Sequence, residues 1–116
     1  MPRSAKTLKT RTTKPSPSRL DRLIQEAIVD ANDDSEQVLG LYTMLEDNLE
    51  LPFMAEVLGM EVTVTAIELT DTDQIVAICS RGRSRQRIGL LELARPKPSP
   101  VGWEWVDAYC RWAGAR

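Results

Sequence analysis

The stretch LEDNLELPFMAEVL, residues 45–58, changes its period in the middle. Up to its first half, Val38, Leu41, Tyr42, Leu45 and Leu49 recur at helical spacing and form one apolar stripe. Pro52 lacks an amide hydrogen and clashes with a preceding helical turn, so this helix ends near Asn48 or Leu49. Beyond it, Phe53–Leu58 reads as a short strand halted by Gly59. Helix lies before this stretch and strand after it, which is the order of an α+β domain.

Upstream, Leu20, Leu23, Ile24, Ala27, Ile28 and Ala31 mark a first amphipathic helix. Ser18 fits its N-cap, with Asp21 in the capping-box place. Asn32, Asp33 and Asp34 favour a turn after it. Asp34 with Gln37 makes a second capping-box pattern and opens the second helix.

Downstream, EVTVTAIEL (61–69) is β-branched and alternating. Val62, Val64 and Ala66 fall on one face, and Thr63, Thr65 and Ile67 on the other. TDTD (70–73) is a turn, QIVAICS (74–80) a strand, RGRSR (81–85) a turn and QRIGLLEL (86–93) a further strand. PKPSP (96–100) is a stiff linker. WEWVDAYCRWA (103–113) is a closing helix that holds all three tryptophans, a pattern suited to packing on a sheet. The expected fold is two N-terminal helices, a small antiparallel sheet of three or four strands with the option of a partial barrel, and a C-terminal helix.

Residues 1–18, MPRSAKTLKTRTTKPSPS, are basic, rich in Ser, Thr and Pro, and without periodicity; they read as a disordered tail before a single domain, 19–116. The chain of 116 residues suffices for one modest core. No apolar run approaches the roughly 18 residues of a membrane span, and the N-terminus lacks the apolar core of a secretory signal, so a cytoplasmic protein is expected. Cys79 and Cys110 form no CxxC pair and histidine is absent, which argues against structural zinc and leaves two buried, reduced thiols. Missing histidine also removes the commonest general base near neutral pH.

Charge is distributed unevenly. Residues 23–80 hold thirteen Asp and Glu and no Lys or Arg, while both ends of the chain are basic. A helical surface normally mixes signs, because opposite charges one turn apart stabilise it and like charges cost a similar amount. Either the basic ends fold back over the acidic segment, or a cation or basic partner supplies the missing charge.

Within it, DANDDSEQ (30–37) begins like a calcium loop, with Asp30, Asn32 and Asp34 at alternate positions. Ser35 then stands where an EF-hand needs glycine, and Leu41 where it needs its bidentate glutamate, so the stretch is not an EF-hand. Further acidic groups lie at Glu46, Asp47 and Glu50 and in the TDTD turn with Asp71 and Asp73. Hard oxygen ligands without His or Cys favour calcium or magnesium. Glu46 and Glu50, four apart, resemble an acid/base pair, but no apolar pocket, phosphate loop or activated nucleophile accompanies them, and no enzyme is expected. The alternative is a nucleic-acid or acidic-partner module built on the basic tail and on Arg81, Arg83, Arg85 and Arg87. No aromatic residue is interleaved with those arginines.

IVDANDDSEQVLGLYTMLEDNLELPF (28–53) resembles the opening of small bacterial calcium-binding proteins of the CcbP type, first known from cyanobacteria. Asp30, Ala31, Glu36, Gln37, Leu45, Glu46, Asp47, Asn48, Leu49, Pro52 and Phe53 fall on that pattern, followed by a segment like the family's PL-x-x-L (here Gly89–Leu93, with Gly in place of Pro) and the tryptophan-rich helix. The resemblance implies calcium (Ca2+) binding without an EF-hand and no catalysis; the expected function is reversible cytoplasmic calcium binding, as buffer or sensor, with an unidentified protein partner as an option. It further implies one ligand group from Asp30, Asp33, Asp34 and Glu36 and another from Glu46, Asp47 and Glu50, joined in one composite site. The TDTD turn is briefer than the family's acidic hairpin loop and is left out of that set.

Overall fold

The computed structural model describes residues 14–115, so residues 1–13 of the stretch read as a basic tail lie outside the described residues, while Ser16, Pro17 and Ser18, also read as tail, already belong to the start of the first helix. Helix α1 spans Pro17–Ile28 and α2 Asp34–Asn48. Four strands follow, β1 (Phe53–Val57), β2 (Met60–Leu69), β3 (Ile75–Arg81) and β4 (Ser84–Gly89), then a 3-10 turn at Leu90–Glu92 and helix α3 (Trp103–Gly114). The strands form one antiparallel meander in chain order. This is the expected α+β architecture, with four strands.

The caps sit one or two residues earlier than expected. Ser16, not Ser18, caps α1, its Oγ accepting the Arg19 amide at 3.2 Å, with Pro17 inside the first turn where its missing N–H costs nothing. Asp21 therefore makes no capping box. Its carboxylate accepts from Nε and Nη2 of Arg111 on α3, at 2.7 and 3.3 Å, and that guanidinium holds the carboxyl below its usual range.

In the sheet, the register shifts between Val64 and Ala66, leaving Thr65 as an extra residue of β2 whose hydroxyl donates to the Ile78 carbonyl. The bulge breaks the strict alternation read from EVTVTAIEL. Val64 opposes Cys79 and Ile67 opposes Ala77, so Ile67 joins Val64 in the core. The last strand is shorter than read, because the chain turns at Leu90 to bury Leu90 and Leu93. The Ala94 amide then reaches the Glu56 carbonyl at 3.3 Å, tying the chain that leaves β4 to the opposite edge strand, β1.

One core joins the helices to one sheet face. Leu20 and Ile24 of α1, Leu41 and Leu45 of α2, and Val106 and Tyr109 of α3 meet Val64, Ile75 and Ala77. Trp103 packs edge-on against Phe53, ring centres 5.6 Å apart, and the Tyr109 hydroxyl lies 3.4 Å from the Ile75 amide as its acceptor. Trp112 donates its indole hydrogen to Gln37 at 2.7 Å, linking α3 to α2. The tryptophans thus pack the closing helix. Arg95 pairs with the nearly buried Asp107 and also reaches Ser99, which fixes the proline-rich linker against α3. Burial outweighs the arginine there and raises the Asp107 carboxyl above its usual range. Cys79 and Cys110 are free thiols; Cys79 is buried as expected but Cys110 is only half-buried, and burial pushes both thiols up. No helix among the described residues is long and apolar enough to cross a membrane.

Candidate metal centre

Local chemistry first explains part of the acidic joint. The N-cap of α2 is Asp33, one residue before the expected Asp34, and its Oδ1 accepts the Glu36 amide at 2.9 Å. Glu36 reaches back to accept the Asn32 amide at 2.6 Å. That is a reciprocal cap, and it fits Glu36 better than Gln37 because a carboxylate is the stronger acceptor at a positive helix end. Asp30, Asp33, Asp34 and Glu36 are all exposed.

A second acidic segment reaches this joint. The turn between β2 and β3 closes through the Asp73 amide on the Thr70 carbonyl (3.0 Å) and the Thr70 amide on the Gln74 carbonyl (2.8 Å). Asp73 takes φ +63, a conformation that aspartate tolerates better than most residues. The Ser35 hydroxyl donates to Asp73 Oδ1 at 3.2 Å, across 38 positions of sequence. The TDTD turn omitted from the expected ligand set therefore stands beside the 30–36 group. Acidic composition was its only sequence signal; the approach depends on the sheet carrying the turn up to the helix.

The other expected group lies elsewhere. Helix α2 has fifteen residues, so its ends are about 20 Å apart, whereas calcium ligands sit within roughly 2.6 Å of the ion. Asp30, Asp33, Asp34 and Glu36 at one end and Glu46, Asp47 and Glu50 at the other are not brought together, and a single composite site does not form. Nor do Glu46 and Glu50 share a helical face. Helix α2 stops at Asn48, and the Glu50 amide bonds the Val101 carbonyl at 2.8 Å.

The environment of Glu46 is different from that of the joint. It lies against the Tyr42 hydroxyl, which also donates to the Ile67 carbonyl at 3.3 Å. Burial first, then the carboxylates of Glu46 and Glu68, push the Tyr42 phenol above its usual value. Glu46 and Asp47 occupy the last turn of α2, where no basic residue stands and the helix carbonyls are already negative. Carboxylates there raise the local negative potential, the reverse of the capping role at the other end.

Among the described residues Arg87 reaches Glu68 at 3.3 Å, and the other ion pairs, Arg95–Asp107 and Arg111–Asp21, lie outside the 23–80 segment. Among the described residues, too, no three Asp, Glu, His or Cys side chains stand close enough together to hold a metal ion. The acidic side chains are gathered but not arrayed, so ion binding has to turn exposed carboxylates inward. Replacing Asp33 by alanine should cost about 1 kcal/mol in chelator through the lost cap, measured by urea unfolding.

A family model for calcium binding of the CcbP type matches residues 21–113. No curated protein matches in sequence. The fold is similar to the crystal structure of Anabaena CcbP, with a TM-score of 0.73 and 20% identity over 88% of this chain and 94% of the other. It is likewise similar to a calcium-binding protein in its calcium-binding form, with a TM-score of 0.71 and 20% identity over 84% and 91% of the two chains.

Proposed function

The chain belongs to the CcbP family of calcium-binding proteins, and on that premise we propose that it binds calcium reversibly through carboxylates at the ends of α2, as a cytoplasmic buffer or sensor. The observation that carries the reading is the family match, which spans both helices, the sheet and α3. The meeting of the 30–36 joint with the β2–β3 turn, through Ser35 and Asp73, supports a first locus there. Asp30, Asp33, Asp34 and Glu36 supply its oxygens, with Asp73 as the nearest addition from the sheet. Calcium accepts six to eight oxygens in flexible geometry and takes water for those the protein lacks, so a partial set of exposed carboxylates suits it better than magnesium, which demands near-ideal octahedra.

Glu46, Asp47 and Glu50 form a second, separate locus at the other end of the helix. A cation there is favoured by the negative helix terminus as well as by the side chains. At the joint the same dipole opposes the cation, and the carboxylates must outweigh it. Both loci relieve like-charge repulsion in a segment that has little of its own counter-charge.

Thermal melting with and without chelator, beside a calorimetric titration, tests the proposal. At a free calcium concentration a hundredfold above Kd the fold gains about 2.7 kcal/mol, and Tm rises by on the order of 10 °C. Calcium that raises Tm no more than monovalent salt of equal ionic strength would contradict it.

A further inference from the structure

One surface lies apart from both acidic loci. At the hairpin end of the sheet, the face that the helices cover elsewhere extends past them and leaves a cavity of about 270 Å³. Val57, Leu58, Met60, Val62 and Ile88 form its walls and Cys79 is buried within it. Leu58 is 96% exposed and holds φ +52 at the first position of a two-residue turn, Leu58–Gly59, between β1 and β2. Asparagine or glycine would suit that backbone and solvent better, since a left-handed conformation is strained for an ordinary side chain. A local choice that goes against both backbone and solvation is the kind of outlier that marks functional surfaces.

Charge frames this cavity. Arg81 stands at its mouth with Ser84 and Gln86, and Arg83 sits in the neighbouring hairpin turn beside Gly82, which takes φ +61. Arg85 and Arg87 alternate with Gln86 and Ile88 along β4, so they lie on the opposite face of the sheet. Arg87 has Glu68. Arg81, Arg83 and Arg85 form no ion pair among the described residues. Beside them β4 is an edge strand, paired on one side alone.

We propose that this end of the sheet docks an extended, acidic segment of a partner protein, which pairs with the β4 edge. The geometry sets the pattern of that segment. Residues of an added strand alternate between faces: those beside Gln86 and Ile88 project toward the apolar cavity, and those beside Arg85 project toward the arginines. The segment therefore alternates aliphatic and acidic residues. Nucleic acid fits less well, because an apolar cavity without an aromatic ring offers a base nothing to stack on.

The probe is a short, fluorescently labelled peptide alternating Glu and Val, followed by anisotropy on the full chain. A block peptide of the same composition, a DNA duplex and phosphatidylserine vesicles serve as comparisons. The alternating peptide should bind saturably and at least about tenfold more tightly than the block peptide. Arg83→Glu with Arg85→Glu, and separately Met60→Glu, should each weaken it by about tenfold or more while the calcium titration and the melt stay unchanged. Equal binding of the block peptide, indifference to Met60→Glu, or no saturation up to about 1 mM would overturn the proposal. So would tighter binding of the duplex or vesicles that is lost with the same arginines, or self-association of the chain through them.

Discussion

Replacing Gly102 by alanine is expected to lower stability by about 3 kcal/mol, seen as a fall in Tm on the order of 15 °C. Two independent costs act at this position. Gly102 caps α3 with φ +90 and ψ 0, where a Cβ is strained by its own backbone. A Cβ would also stand 2.1 Å from the Asn48 carbonyl oxygen and 2.5 Å from its carbon. The obstacle is main chain, which no rotamer change removes. Relief requires α3 to move away from the end of α2, and Trp103 next in the chain then loses its packing on Phe53. The same contact, with the Glu50–Val101 hydrogen bond, holds the Glu46–Glu50 group in place. Gly102→Ala should therefore weaken calcium binding at that locus more than at the joint. Circular dichroism melts in chelator check the first statement, and amide resonances of residues 46–50 and 30–36 followed during a calcium titration of the variant check the second.

Gly40→Ala should also destabilise, by about 2 kcal/mol, although propensity alone gives the opposite sign. Alanine in a helix interior is favoured over glycine by roughly 1 kcal/mol. At Gly40, however, a Cβ would lie 2.2 Å from the Ala27 carbonyl oxygen and 3.2 Å from its carbon. Ala27 belongs to the last turn of α1, immediately before the acidic joint. The glycine thus lets two helices meet backbone to backbone, and because the obstacle is main chain the overpacking cost lies at the upper end of its range, about 3 kcal/mol, which exceeds the propensity gain by about 2 kcal/mol. Forcing α1 and α2 apart also opens the joint between them. Denaturant unfolding gives the sign: a more stable Gly40→Ala protein would show that the helices separate without cost.

These two glycines show where the sequence stopped being legible. The stripe through Val38, Leu41 and Leu45 and the stop at Pro52 were readable because period and proline act locally. The bulge at Thr65 was not, since an alternating run contains no mark of which residue its partner strand will skip. The caps at Ser16 and Asp33 competed with equally good neighbours, and tertiary contacts chose between them: Asp21, the expected capping partner, is taken by Arg111 on α3.

For the site, composition singled out an acidic segment, and the resemblance attached it to calcium binding. The composite arrangement failed on a length already present in the sequence reading. A helix running from Asp34 to Asn48 cannot bring both of its ends to one ion. The neighbour that the joint acquires instead, Asp73, is 38 positions from Ser35 and arrives only through the turn between β2 and β3. Nothing in the spacing of TDTD announces that meeting.

The central claim is that calcium binds at the ends of α2. Amide resonances followed during a calcium titration of the isotopically labelled protein test it most directly. Saturable shifts confined to residues 30–36 and 71–73, and to 46–50, are the predicted result, with Asp33→Asn silencing the first set and Glu46→Gln the second. Shifts spread evenly over the chain, or concentrated away from both helix ends and untouched by either replacement, would contradict the account.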